Sequence, residues 1–173
     1  LYKAHFQDEA WDEVLQLIAG MVEPKFVEEI IQKLISSPVN AIKCLRKNNR
    51  LKKEGLSNLL LAANCCGELR YRKAVENLEN HLLAQLKQIL EPGYPYLLDD
   101  NATKAVLSSI INNWKERPII LSWMKELLSN SNSLTVRYAV VPELVRGWQE
   151  NAKLLDFLKH CARSHVDENI RRI

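Results

Sequence analysis

Residues 102–123, ATKAVLSSIINNWKERPIILSW, and residues 136–157, VRYAVVPELVRGWQENAKLLDF, align without a gap at a shift of 34. Ala105 meets Ala139, Trp114 meets Trp148, Glu116 meets Glu150 and Leu121 meets Leu155. The apolar rhythm is kept as well. Ile110 pairs with Leu144, Ile111 with Val145, Ile120 with Leu154, Trp123 with Phe157 and Met124 with Leu158. The shift holds through Lys125/Lys159, Val136/Ile170 and Arg137/Arg171, so it covers 102–173. A fixed period in this range, with two helices per unit, marks a stack of helical pairs. Each pair leaves an apolar face that only a neighbour can cover. The fold expected is therefore all-α, an α-solenoid of antiparallel helix pairs. The repeat copy stops at Ile173 with no polar capping helix, which predicts that the array continues in a longer protein.

Toward the N-terminus the helical rhythm persists but the period is lost. Trp11, Val14, Leu15, Ile18 and Val22 follow i, i+3, i+4 spacing. Pro24 sits where a helix tolerates proline, in its first turn, and Phe26, Val27, Ile30, Ile31, Leu34 and Ile35 make a second stripe. Ser36, Ser37 and Pro38 end it, and a short helix is expected over 39–45. From Leu56 to Leu69 the chain is apolar almost all round, the pattern of a central helix. Leu78, Leu82, Leu86, Ile89 and Leu90 then form one side of a long helix. The stretch Glu91-Pro-Gly-Tyr-Pro-Tyr cannot continue it. The expected organisation is an irregular helical part over 1–91, a connecting loop over 92–101, and repeats from 102 to a truncated end at 173.

Composition narrows the function. The formal charge is +3, but Lys43, Arg46, Lys47, Arg50, Lys52 and Lys53 lie together without an acid between them. Taking those six away leaves −3 for the rest. Such a run suits phosphate contacts, whose strength falls with salt. It carries no aromatic residue for base stacking, and Asn48 and Asn49 suit a loop. The four cysteines, Cys44, Cys65, Cys66 and Cys161, form no C-x-x-C pair. They read as reduced, buried thiols of a cytoplasmic protein rather than a disulfide framework. No secretory signal or membrane-length apolar run is present.

No set of residues points to catalysis or to a cofactor. His160, Cys161 and His165 lie close in sequence, but a zinc site wants four ligands and no second cluster supplies them. The histidines at 5, 81, 160 and 165 are scattered, and the serines gather in turns such as 129–133. Asp99, Asp100 and Asn101 read as a cap for the helix expected at Ala102. Trp114 and Trp148 read as packing groups at matched helix ends. Tyr94 and Tyr96, amphipathic rings in the loop, are the expected partner contacts.

Two resemblances extend this reading. Residues 133–148, SLTVRYAVVPELVRGW, resemble the second helix of HEAT repeats, with Asp167, Ile170 and Arg171 fitting the pattern in the next copy and Ser133 replacing the aspartate in this one. Residues 5–21, HFQDEAWDEVLQLIAGM, resemble the segment just past the NTPase module of bacterial NACHT-family proteins of the STAND class. Leu60–Leu69 and the pattern at 136–148 resemble the C-terminal helical repeats of that family. The resemblance implies a sensor or scaffold arm attached to a nucleotide-driven switch, partnered by a protein ligand or by the switch itself. The chain contains no phosphate-binding G-x-x-x-x-G-K-[ST] loop of its own. The alternative is a free-standing nucleic-acid-binding protein that uses segment 43–53.

Overall fold

The computed structural model describes residues 11–36, 54–70, 72–91, 98–164 and 168–171. All regular structure among them is helical. The chain divides into two compact units, 1–89 and 90–173.

In the first unit, α1 (Asp12–Met21) leads through Val22 and Glu23 into α2 (Pro24–Ile35). Pro24 occupies the first helical turn after an extended Glu23, where its missing N–H is not needed. After the undescribed segment come α3 (Glu54–Gly67), a 3-10 turn (Arg72–Val75) and α4 (Glu76–Ile89). Helix α3 packs against α1, α2 and α4. It buries Leu59, Ala62, Ala63, Cys65 and Cys66 completely. The small residues among them, Ala62, Ala63, Cys65 and Cys66, leave room for α1, α2 and α4 to pack on this one helix. The all-round apolar character of 56–69 thus has its expected cause.

The α1 stripe is only partly inward. Leu15 and Ala19 are buried, whereas Val14 and Val22 are exposed. Helix α1 is 10 residues long and ends at Met21, so Val22 lies past it. The i, i+4 pair Leu15 and Ala19 is the face that α3 covers. In α2 the stripe narrows likewise to Val27, Ile30, Ile31 and Leu34, leaving Phe26 exposed.

The second unit contains α5 (Asp100–Trp114), α6 (Pro118–Asn130), α7 (Leu134–Trp148), α8 (Ala152–Ser164) and the one-turn α9 (Glu168–Arg171). The bounds of α5 and α7 differ by 34 at both ends, and so do those of α6 and α8. Helix α9 opens one further step of 34 along. Helix α5 opens at Asp100 rather than at Ala102, because Asp99 is the capping residue. Its carboxylate accepts the Ala102 N–H at 2.7 Å, satisfying one of the donors a helix start leaves unpaired. Ser133, one repeat later, does the same for the Val136 N–H at 3.3 Å, and Asn151 caps α8 through the Leu154 N–H at 3.0 Å. Asp99→Ala is expected to cost about 1 kcal/mol. Urea denaturation checks this, and Asp99→Ser should recover most of the loss.

Helix α7 packs against both α5 and α6. It buries Val136, Ala139, Val140, Val141 and Leu144, and it runs on through Pro142, which is exposed. Its approach to α5 is close. A Cβ placed on Gly147 would lie 3.0 Å from Ile111 Cγ2, so the missing side chain lets the two helices meet there.

Candidate interaction surfaces

A polar network of the second unit joins α5 to α7. Glu143 on α7 accepts from Ser108 Oγ on α5 at 2.8 Å. Its other oxygen accepts from Arg146 Nε at 3.0 Å and from Nη2 at 2.6 Å. Arg146 Nη1 in turn donates to Asn112 Oδ1 at 2.8 Å. Asn112 and Arg146 occupy the same repeat position in successive copies. The guanidinium fork suits this bridging role, since it donates in two directions at once. Two acceptor side chains on different helices thus fix the α5–α7 register.

An apolar groove of about 280 Å³ opens on α6, α7 and α8. Leu128, Val141, Val145, Leu155, Leu158 and Cys161 are among its lining residues. Val145 and Leu155 are about half exposed, at 48% and 52%. Lys159 also borders it. On the neighbouring helices, Lys125 of α6 sits 5.1 Å from the ring centroid of Phe157 on α8, within cation–π range. Cys161 is buried at the groove wall, and desolvation pushes its thiol up.

In the first unit, Glu79 on α4 is 2% exposed and accepts from Arg72 Nε at 2.6 Å. The 3-10 turn carries the arginine to the start of α4. Leu17, Met21 and Phe26 leave apolar surface uncovered on α1 and α2. Cys65 is fully buried, and burial pushes its thiol up to about 12, with the carboxylates of Asp12 and Glu68 adding to the effect. A thiol so shifted is a poor nucleophile, because the thiolate is the reactive form. Against an ordinary 9.0, the thiolate fraction at pH 8 falls roughly 1000-fold. Native chain treated with iodoacetamide at pH 8 should leave Cys65 unlabelled, while urea-unfolded chain should label it, as read by peptide mass spectrometry. The linkage has a definite sign. Above 9.0 the unfolded chain releases a proton that the folded chain still holds, so Cys65 lowers folding stability as pH rises from about 9 to 12.

Several sequence-level candidates lie outside the described residues. These are Tyr94 and Tyr96 of the loop, the basic run Lys43, Arg46, Lys47, Arg50, Lys52 and Lys53, the helix expected over 39–45, and Cys44, Asp167 and His165. His160 is described. Its Nε2 lies 3.1 Å from Ser164 Oγ, which also donates to the His160 carbonyl at 2.8 Å. Both residues are exposed on one helix face. Among the described residues no group of three or more His, Cys, Asp or Glu is placed to hold a metal ion. No described helix is long and apolar enough to cross a membrane.

Comparison with protein-family models, curated proteins and solved structures finds no match to this chain. Function has to be argued from the geometry itself. Sequence reasoning missed both the Glu143–Arg146 network and the groove. The signal for the network was present, since Asn112 and Arg146 are repeat mates. The groove carried a weaker signal, two ordinary apolar pairs, Ile111/Val145 and Leu121/Leu155.

Proposed function

We propose that the chain is a piece of a HEAT-like α-solenoid and serves as a protein-interaction or ligand-sensing scaffold. One observation carries this reading. Two successive helix pairs have the same bounds at a step of 34, and a fifth helix opens where a third pair would begin. Units of that kind bury their faces against one another and present extended surfaces for recognition. The step is shorter than the roughly 40–47 residues usual for HEAT units and equals the tetratricopeptide length. The name HEAT-like therefore rests on the Val-Arg pattern of α7, not on the period.

The resemblance of residues 5–21 to the segment after a NACHT module supports a more specific role. In that role the scaffold is the C-terminal sensor arm of a STAND-type NTPase, working in the cytoplasm. The open reading frame around this segment tests it. A phosphate-binding G-x-x-x-x-G-K-[ST] loop upstream of Leu1 is expected, and a frame without one overturns the sensor-arm reading.

The basic run 43–53 favours a second reading, a nucleic-acid-binding scaffold. In that case affinity for a DNA or RNA duplex falls linearly on a log–log plot against salt. Reversing charge at Lys43, Arg46, Lys47 and Arg50 should abolish the binding. Unchanged binding, followed by fluorescence anisotropy, removes this reading.

A further inference from the structure

We draw no further inference here: the strongest candidate, the apolar groove on α6, α7 and α8, belongs to the helix stack already described, since the helix opening at Glu168 stands one step of 34 after α7, and nothing in the structure shows that another molecule covers it.

Discussion

Trp114→Ala should lower folding stability by about 3–5 kcal/mol, the range for emptying a buried aromatic site. Trp114 closes α5 and is 2% exposed, among the largest side chains completely buried in this protein. Its repeat mate Trp148 closes α7 but is only partly buried. Trp148→Ala should therefore cost about 1 kcal/mol, in proportion to the apolar area already wet. The contrast is the informative part, because both residues occupy the same repeat position and would be treated alike from sequence. Among the described residues, the buried Trp114 Nε1 has no hydrogen-bond partner. Trp114→Phe thus removes an unsatisfied donor along with some volume, and it should cost less than about 2 kcal/mol. Urea unfolding followed by far-ultraviolet circular dichroism reads all three. Equal losses for Trp114→Ala and Trp148→Ala would show that the two sites are packed alike, against the structure.

The second large effect is expected at the Arg72–Glu79 pair. Removing one partner of a buried ion pair costs about 3–5 kcal/mol, because the remaining charge is left desolvated. Here the arginine side chain is 36% exposed and the glutamate 2%. Water can reach the site once the guanidinium is gone, which lowers the expected loss for Arg72→Ala to about 2 kcal/mol. The asymmetry gives a sharp control. Glu79→Leu leaves behind an arginine whose side chain is partly exposed, and it adds apolar volume to a face that already buries Leu82, Leu83 and Leu86. It should cost less than Arg72→Ala, and adding Glu79→Leu to Arg72→Ala should restore stability rather than subtract further. A double-mutant cycle in urea measures this coupling. Additive losses would show that the pair does not act as a unit.

Much of the helical layout could be read from the residues alone. The 34-residue step marked out four helices of the second unit, because apolar spacing along a helix is a local property with its own period. Pro24 and Pro118 stand in the first turns of α2 and α6, as proline chemistry requires. The apolar run 56–69 announced a helix with neighbours on several sides. The start of α5 was placed two residues late, since Asp99, Asp100 and Asn101 are all good caps. Choosing among them needed the Asp99–Ala102 hydrogen bond.

The candidate site was less legible. Ile111 and Val145 are interchangeable in a sequence alignment, yet one lies beneath α7 and the other faces solvent. Nothing local distinguishes them, because the difference lies in whether another helix arrives. The same holds for Val14 against Leu15, and for Trp148 against Trp114. Arg146 could be paired with Asn112 by counting. That Glu143 would hold the same guanidinium, and Ser108 the same carboxylate, depended on how α7 turns its face to α5.

The sequence by itself determined that this protein is helical and that a pair of helices recurs at a step of 34. Caps, prolines and a 3.6-residue rhythm act within one or two turns of the chain. Only the tertiary structure decided which apolar faces are covered and which charge is buried with a partner. Burial is a relation between segments far apart in sequence, and a residue's own chemistry does not encode which neighbour will reach it.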